Sequence, residues 1–455
     1  AIATALVPSA LGVIRCSGAG CLGLLEGLFS RPELVAAAPG NTIHHGFICD
    51  LKGVRLDEVM IAVFRAPHSY TGEEAAEIFC HGSPAGIRLI LDALMERGFR
   101  AAEPGEFTRR AFLNGKMDLT RAEAVNELIN AQTSHAHALA LDRLTGSVGL
   151  EVHSIRDGLV RIMASLAIQL DYPEEDTGPV DVDLASLSSL EARIGALSRS
   201  FQRGRIYQEG VRIALAGLTN AGKSSLFNQL LQHDRSIVSD IHGTTRDYVE
   251  ALVDVAGIPV RLFDTAGLRE TTESVEGEGI RRSETVIRAA DLVLYVIAAD
   301  RGVTDEDTRR LNSISETRPV IAVWNKSDLR SDFPGDALAV SAVAGTGIDE
   351  LNHRIATTLL GEGGQMPGDG RPGLQGSRHG ADRSSPVIDS ARQFDLLRRA
   401  ETAVRETRLG LEQGVSVDAV AVDLQDALSA IGEITGEVTS SDILDVMFGS
   451  FCVGK

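Results

Sequence analysis

At 455 residues the chain is too long for a single hydrophobic core, so we expect two to four domains. The formal net charge of −19 argues against a protein that coats nucleic acid nonspecifically, because broad phosphate binding needs a positive field. The most apolar run, residues 292–299, has the length of a strand, and the five cysteines show no metal-ligand spacing. These features favour a cytoplasmic protein with reduced thiols and without a membrane segment.

The first region, residues 1–117, alternates short apolar runs with turns. Residues 13–14, 59–64 and 76–79 are predicted strands, and residues 85–97 are a predicted helix. Strands and helices that mix in this way predict an α+β domain.

From Leu119 the hydrophobic period becomes helical, with apolar side chains recurring every three or four residues between 122 and 129. Thr120, followed three residues later by Glu123, resembles a capping box. The helical pattern continues to about residue 203 with one break at Tyr172-Pro173. Residues 118–209 are therefore predicted to be the first part of an all-α domain.

The most informative motif runs from Gly217 to Ser224 and matches the phosphate-binding loop Gly-x-x-x-x-Gly-Lys-Ser. Residues 211–216 before it form a buried-strand pattern, and residues 225–231 after it are a predicted helix. A strand, a glycine loop and a helix N-terminus in this order direct N–H groups and a helix dipole at an anion. Lys223 is then expected to bridge the outer phosphates, and the Ser224 hydroxyl to hold Mg²⁺.

Four further signals follow in the order that a guanine-nucleotide switch requires. They are Gly-Thr-Thr-Arg-Asp at 243–247, Asp-Thr-Ala-Gly at 264–267, Asn-Lys-Ser-Asp at 325–328 and Ser-Ala at 341–342. Asp264 is expected to reach Mg²⁺ through water, a threonine of the first motif to complete its shell, and the Gly267 N–H to meet the γ-phosphate. Asp328 can accept two hydrogen bonds from guanine, whereas adenine offers no matching pair, so GTP is favoured over ATP. The motifs follow apolar runs, which predicts an α/β Ras-like P-loop GTPase domain over residues 210–375.

The nucleotide motifs do not identify the group that positions the attacking water for GTP hydrolysis. Leu268 follows the Asp-Thr-Ala-Gly motif, so the water-orienting glutamine of Ras-type switches is absent. Four glutamates crowd residues 270–278, and Arg269 is either a built-in arginine finger or a solvated loop charge. Asn220, inside the phosphate loop, has a side-chain carbonyl that can coordinate a monovalent cation and so supply the missing positive charge.

After the nucleotide module, residues 361–386 are rich in Gly and Pro and predict a linker. Helical patterns return at 387–411, at 417–431 and from about residue 441. Residues 376–455 are therefore predicted to complete the helical domain. The result is a discontinuous all-α domain into which the GTPase domain is inserted.

Several longer motifs carry a resemblance to a known family. They are Pro-Gly-Glu-Phe-Thr at 104–108, the run 110–119, Gly-Glu-Ile-Thr-Gly-Glu at 432–437, and a terminal Cys-x-Gly-Lys at 452–455. Together with the five nucleotide motifs they span nearly the whole chain. The chain resembles the tRNA-modifying GTPase family MnmE, also called TrmE.

The resemblance implies an N-terminal folate-binding domain that forms a constitutive homodimer, a discontinuous helical domain and an inserted G domain. It implies a K⁺-stimulated GTPase that is activated when two G domains meet. It also implies joint action with the flavoprotein MnmG (GidA) to modify carbon 5 of the wobble uridine in certain tRNAs. The one-carbon unit would come from a tetrahydrofolate derivative, either 5-formyl- or methylene-tetrahydrofolate.

The resemblance further assigns roles to residues. Folate is expected to contact Arg15, Glu77, Lys116 and Lys455. Mg²⁺ is expected at Ser224 and Thr245, and K⁺ at Asn220, Ser239, Ile241 and Thr244. The expected catalytic residues are Glu276, which would position the attacking water, Lys223 and Cys452, whose thiol is either a nucleophile or a packed small side chain. The expected GTP contacts are Asn220, Ala221, Gly222, Lys223, Ser224, Ser225, Ser239, Asp240, Ile241, His242, Gly243, Thr244, Thr245, Asp264, Thr265, Ala266, Gly267, Asn325, Lys326, Ser327, Asp328, Ser341, Ala342 and Val343.

Two other functions are compatible with the nucleotide motifs. A ribosome-assembly GTPase switch of the Era or Der kind shares them, but it would carry a basic RNA-binding domain, and neither flank has that pattern. A folate-dependent one-carbon transferase that uses GTP only for regulation differs from the leading interpretation in needing no partner. The leading interpretation is the enzyme that modifies tRNA.

Overall fold

The computed structural model describes residues 1–171, 183–233, 249–265, 284–330, 332–334, 337–361 and 385–454. The chain divides into two units, one built from Ala1–Asn126, Arg143–Val180 and Ala421–Lys455, the other from Glu127–Asp142 and Asp181–Val420. The expected fold class is confirmed, since an α+β region, flanking helices and an inserted α/β domain are all present. The predicted domain limits at residues 117, 209 and 375 are not tested by this division into two units, and they remain predictions.

A four-stranded sheet forms the core of the first unit. Its strands are β1 (Ser9–Ser17), β2 (Thr42–Cys49), β3 (Arg55–Phe64) and β4 (Ala75–Gly82). They pair antiparallel in the order β1-β4-β3-β2. Alternation along β1 and β3 buries Ile14, Cys16 and Ile61, while Arg15 and Met60 lie on the opposite face.

Of the helices between residues 20 and 171, the first three pack on the buried face of this sheet, and the later ones begin the helical region. They are α1 (Cys21–Glu26), α2 (Pro32–Ala36), α3 (Pro84–Glu96), α4 (Glu106–Leu113), α5 (Leu119–Asn130), α6 (Ser134–Thr145) and α7 (Ser147–Asp171). Ile87, Ile90 and Leu94 of α3 share the core with Ile14 and Ile61. Burial of these aliphatic side chains holds α3 on the sheet.

Asp118 caps α5. Its carboxylate accepts hydrogen bonds from the Arg121 backbone N–H at 2.9 Å and from the Thr120 hydroxyl at 2.7 Å. An aspartate in this place satisfies an N–H that the first helical turn leaves unpaired. The helix begins at Leu119, as the periodicity predicts, but the assignment of the cap to Thr120 is wrong.

A six-stranded sheet forms the core of the second unit. Its strands are β5 (Val211–Ala216), β6 (Val249–Val255), β7 (Ile258–Asp264), β8 (Leu292–Ala298), β9 (Val320–Asn325) and β10 (Leu338–Ala339). The order is β10-β9-β8-β5-β7-β6, and β6 runs antiparallel to β7 while the other neighbours are parallel. Every residue of β8 is buried, as expected for a central parallel strand covered on both faces.

Helices pack on both faces of this sheet, and the other helices after residue 183 belong to the helical region, of which the part from residue 421 onward lies in the first unit. The elements are α8 (Leu184–Arg199), α9 (Phe201–Glu209), α10 (Lys223–His233), a helix at 284–289, α11 (Asp305–Ser315), α12 (Ile348–Leu360), α13 (Ala391–Glu412), α14 (Val417–Thr435) and α15 (Ser441–Gly449). One face buries Leu226 of α10 and Leu351 of α12. The other face packs against Ile287 of helix 284–289 and Ile314 of α11.

Helix α13 begins at Ala391, four residues later than the prediction of residue 387. The chain is held extended there because the Ile388 N–H donates to the buried Ser200 hydroxyl at 3.1 Å. The Ile388 carbonyl also passes so close to Gly204 that a Cβ at Gly204 would lie 2.1 Å from its oxygen. The predicted break at 172–173 and most of the predicted linker, 362–384, lie outside the described residues. In the described part of the chain, no helix combines the length and apolar character that a membrane crossing requires.

Candidate functional site

Five loops meet at one edge of the six-stranded sheet. They follow the carboxyl ends of β5, β7, β8, β9 and β10, which all run in the same direction. These loops carry Lys223, Asp264, Asp300, Asp328 and Ser341. Open α/β sheets bind ligands at this edge, so the structure brings four of the five predicted nucleotide motifs to one site.

Backbone conformation explains the glycines of the phosphate loop. Gly217 has φ of 139°, and a Cβ there would lie 2.3 Å from the Val296 carbonyl oxygen. Gly222 has φ of 88°, and a Cβ there would lie 2.2 Å from Asn325 Nδ2. Asn220 also has a positive φ, 60°, which asparagine adopts more readily than most residues. No side chain other than hydrogen fits at the two glycines.

Lys223 and Ser224 lie at the start of α10, where a helix favours anions. The Lys223 side chain is 7% exposed, and its Nζ donates to the carbonyls of Gly217 and Leu218 at 3.1 and 3.0 Å. The Ser224 hydroxyl donates to Asp264 Oδ2 at 2.7 Å. A hydroxyl and a carboxylate this close supply the hard oxygen ligands that Mg²⁺ takes.

Asn325 ties the phosphate loop to the loops that follow β9 and β10. Its Nδ2 donates to the carbonyls of Ala221 and Gly222 at 3.1 and 3.2 Å, and its Oδ1 accepts from the Ala342 N–H at 3.1 Å. Asn325 is 2% exposed. Because the side chain is buried and both of its polar atoms are hydrogen-bonded, it acts as a structural strut between these loops, and its expected contact with GTP stays a prediction.

Asp328 is positioned by Ser341. The buried Ser341 hydroxyl donates to Asp328 Oδ1 at 2.6 Å and accepts from the Ala344 N–H at 3.1 Å. The carboxylate of Asp328 is itself exposed, as a group that reads a base must be. Ser327 is held through its N–H to the Val340 carbonyl, and Val343 is 88% exposed.

Asp300 is a site residue that the sequence reasoning missed. Lys326 has φ of 65°, and its Nζ lies 3.2 Å from Asp300 Oδ2. Asp300 is the first carboxylate after β8, at the same edge of the sheet. Its position after a fully apolar run was the available signal.

The remaining predicted nucleotide contacts divide into two groups. Ala221 is buried in the loop, Ser225 is exposed in the first turn of α10, and Thr265 donates from its hydroxyl to the Leu215 carbonyl at 2.7 Å. The other predicted site residues lie outside the described part of the chain: Ser239, Asp240, Ile241, His242, Gly243, Thr244, Thr245, Ala266, Gly267, Glu276 and Lys455.

A second cluster of predicted residues lies in the first unit. Arg15 on β1 and Glu77 on β4 are direct neighbours in the antiparallel register, and Arg15 Nη2 lies 2.7 Å from Glu77 Oε1. The Arg15 guanidinium also lies 6.0 Å from the ring centre of Tyr70 and 5.7 Å from that of Phe107. Lys116 donates to the Pro67 carbonyl at 2.9 Å.

The Pro-Gly-Glu-Phe-Thr motif at 104–108 builds the surroundings of Arg15. Gly105 has φ of 64°, and a Cβ there would lie 2.6 Å from the Phe448 carbonyl oxygen. Phe107 lies against Arg15, and the Thr108 hydroxyl lies 3.0 Å from that of Tyr70. Tyr70 and Phe107 are thus further site residues, and only their contacts reveal them.

Glu106 of the same motif anchors α4. It receives hydrogen bonds from the guanidinium groups of Arg100 and Arg110 and from the Glu103 N–H. Burial alone would raise the pKa of Glu106, but these donors outweigh it and lower the pKa to about 2. The carboxylate is therefore charged at neutral pH.

The end of the chain reaches this cluster. The Gly105 N–H donates to the Cys452 carbonyl at 3.3 Å, Val453 bridges to Pro104, and Arg15 Nη1 donates to the Gly454 carbonyl at 2.9 Å. Cys452 is exposed, whereas burial raises the pKa of the Cys16 thiol to about 11. Only Cys452 of these two therefore has a thiol open to solvent.

An apolar cavity of about 530 Å³ opens beside Arg15. Leu94, Phe99 and Phe107 supply much of its wall, and Glu106 lies at its polar side. The volume suits a small organic ligand. A ring system fits such a wall, with Arg15 and Glu106 available for polar contacts.

Comparison with known proteins gives two family matches that together cover almost the whole chain. The description "GTP-binding protein TrmE N-terminus" matches residues 1–116, and "MnmE helical domain" matches residues 119–452. The chain belongs to the MnmE family of GTPases. A tRNA modification GTPase MnmE from Borrelia recurrentis is 42% identical over 460 residues, covering 100% of this chain and 97% of the relative.

Two further relatives are MnmE proteins of other bacteria. The MnmE of Moorella thermoacetica is 39% identical over 473 residues, covering 100% of this chain and 98% of the relative. That of Aquifex aeolicus is 38% identical over 464 residues, covering 100% of this chain and 99% of the relative. The resemblance seen in the motifs is thus confirmed for the family over the full length.

Proposed function

We propose that this MnmE-family chain is a K⁺-stimulated GTPase, activated by dimerisation of its G domains, that takes part in tRNA modification. With the flavoprotein MnmG (GidA), it would modify carbon 5 of the wobble uridine in certain tRNAs. The one-carbon unit would come from 5-formyl- or methylene-tetrahydrofolate. The observation that carries the proposal is the nucleotide site at the sheet edge in a chain that belongs to this family over its full length.

The described residues support binding of GTP or GDP with Mg²⁺. Lys223 is buried against the phosphate loop, and the hydroxyl of Ser224 and the carboxylate of Asp264 meet at 2.7 Å. In the proposal, Ser224 and Thr245 hold Mg²⁺, and Asp328 accepts the two guanine N–H groups. The metal would neutralise charge on the phosphates, and Glu276 would position the attacking water.

The proposed K⁺ site includes Asn220. Its side chain is exposed within the phosphate loop, where its carbonyl oxygen can reach a cation beside the phosphates. Ser239, Ile241 and Thr244 would supply the other ligands. A monovalent ion there takes the electrostatic role that an arginine finger has in other GTPases.

The cluster around Arg15 supports folate binding. Arg15 lines an apolar cavity of about 530 Å³, and its guanidinium is paired with Glu77 beside that cavity. Lys116 and Lys455 are proposed as further contacts. Cys452 is proposed to act near the one-carbon unit, because its carbonyl is fixed to Gly105 and the following Gly454 is bonded to Arg15.

The proposal includes a cytoplasmic homodimer that works with MnmG and tRNA. The outer face of the four-stranded sheet supports dimerisation, because Ile43 and Met60 on it are 60% and 47% exposed. The net charge of −19 leaves MnmG to supply most of the basic surface that tRNA needs. A ribosome-assembly switch of the Era or Der kind accounts for neither the match at 1–116 nor that at 119–452.

GTP turnover in KCl and in NaCl at equal ionic strength tests the proposal. We expect turnover about a hundredfold higher in KCl, the magnitude of one lost transition-state contact. Asn220→Gly is the matched variant, because glycine keeps the positive φ of 60° without strain and removes the side-chain carboxamide with its carbonyl oxygen. It should lose the K⁺ response and retain GDP binding. Equal turnover of the unaltered chain in both salts would reject the cation mechanism.

A further inference from the structure

A cavity of about 640 Å³ lies on one face of the six-stranded sheet, between helix 284–289 and α11. Its floor is formed by Ala216, the last residue of β5, and Tyr295 in the middle of β8. Its side walls come from Ile287 and Arg288 of one helix and Ile314 of the other. A volume of this size accommodates a small organic molecule.

The cavity touches the nucleotide site but is distinct from it. Gly217, Lys223 and Thr265 form its inner wall, so an occupant would lie beside the outer phosphates. None of the residues that tie or read the base, such as Asn325 and Asp328, lines it. The cavity therefore lies on the phosphate side of the nucleotide site, away from the residues at which the base is proposed to bind.

The lining combines an apolar surface with guanidinium groups. Ile287, Ile314 and the ring of Tyr295 are apolar. Arg288 and Arg310 supply positive charge, and the single carboxylate among the described lining residues, Glu284, is outnumbered by them. Arg310 is paired with Glu306 at 2.7 Å, whereas the structure shows no ion pair for Arg288 among the described residues. A ligand with an apolar body and one anionic group matches this lining.

The Tyr295 side chain in the cavity floor is held in place by hydrogen bonds. Its hydroxyl donates to Asp307 at 3.1 Å, and the fully buried Asp307 accepts from both the N–H and the hydroxyl of Thr304. Burial raises the pKa of Tyr295, so the ring stays neutral. The hydroxyl is thus used within the protein, and the ring presents an apolar surface to the cavity.

We propose that this cavity is a binding site for a small organic anion, one with an aromatic or aliphatic body and a single carboxylate, sulfonate or phosphate. The anion binds at Arg288 and Arg310, and the body lies on Ile287, Ile314 and the Tyr295 ring. The proposed function assigns no ligand to this place. Because Lys223 and Thr265 belong to both sites, cavity ligand and nucleotide alter each other's affinity by the same factor.

The probe for a test is 1-anilinonaphthalene-8-sulfonate, which carries fused rings and one sulfonate. It is titrated by fluorescence into the full chain loaded with GDP and Mg²⁺. We expect Arg288→Gln and Arg310→Gln each to weaken binding about tenfold, and Ser313→Trp, which fills the cavity, to abolish it. Arg309→Gln is the matched control, because Arg309 is on the same helix as Arg310, is not among the described residues that line the cavity, and donates to the Asp305 carbonyl.

A second measurement needs no variant. Trp324 is the sole tryptophan and packs in the same cluster as Tyr295, so a probe in the cavity should show emission sensitised by tryptophan excitation. Far-UV circular dichroism and GDP binding establish that each variant is folded. Probe affinity that is the same in Arg288→Gln, Arg310→Gln and Arg309→Gln would overturn the proposal. Absence of sensitised emission on saturation of the unaltered chain would overturn it as well.

Discussion

Asn325→Ala removes the strut between the phosphate loop and the base-reading loops. The variant leaves the carbonyls of Ala221 and Gly222 and the N–H of Ala342 without their partner. Three hydrogen bonds in a site that is 2% exposed are worth about 3 kcal/mol together, at roughly 1 kcal/mol each. We therefore expect the free energy of unfolding of the second unit to fall by about 3 kcal/mol.

Urea unfolding of the nucleotide-free chain, followed by tryptophan fluorescence, measures this change. Trp324 is the only tryptophan, is 7% exposed, and lies next to Asn325 in the sheet, so the signal reports this unit alone. With a denaturant slope of about 2 kcal/mol per molar urea, the midpoint should fall by about 1.5 M. Nucleotide must be absent, because bound GDP would add its own stabilisation.

Asn312→Ala is the control, since Asn312 is exposed on α11 and alanine is a better helix former. Its midpoint should change by less than about 0.3 M. If Asn325→Ala shifted the midpoint no further than Asn312→Ala does, the loops would not depend on this side chain. The account of Asn325 as a strut would then be wrong.

Three further changes test individual groups. Glu276→Ala should keep GDP binding and lose GTP hydrolysis; unchanged turnover would refute its assignment to the attacking water. Asp328→Asn should lower GDP affinity by about a hundredfold, because two hydrogen bonds to a charged group are lost. The variant should instead favour xanthosine diphosphate, because the asparagine amide can accept from the xanthine ring N–H and donate to the neighbouring carbonyl. Competition of each nucleotide against a fluorescent GDP measures both affinities, and an unaltered preference for GDP would contradict the assignment of Asp328 to the base. Glu106→Gln should lower stability by roughly 2 kcal/mol at pH 7. The folded-state pKa of Glu106 is lowered to about 2 from an ordinary 4.5, so its contribution is full above pH 4.5 and disappears towards pH 2. The gap between the unaltered chain and Glu106→Gln in urea midpoint should therefore narrow over that range, and a gap independent of pH would show that the carboxylate charge is not the cause.

The spacing of apolar residues in the sequence predicted those strands and helices that bury a regular apolar stripe of their own. The strand at 211–216 and the helix at 417–431 are examples, the latter extending to Thr435 in the structure. Strand β2 was missed because His44, His45 and Gly46 interrupt its alternation, and half of its side chains lie on the outer face. Helix α4 was missed because its register is set by Gly105 and by the ion pairs of Glu106, not by an apolar stripe.

The phosphate loop could be recognised from the residues in order, because its lysine, its serine and both conformationally demanding glycines are near neighbours along the chain. The family could be recognised for the same reason, because each of its motifs is a continuous stretch of sequence. Contacts between distant segments could not be recognised in that way. Arg15 meets Glu77 and Gly454, Asn325 spans from β9 to the phosphate loop, and the cavity above Tyr295 exists only because two helices stand apart on the sheet. Such contacts depend on which surfaces pack together, and packing is decided by the burial of the whole core rather than by any short run of residues.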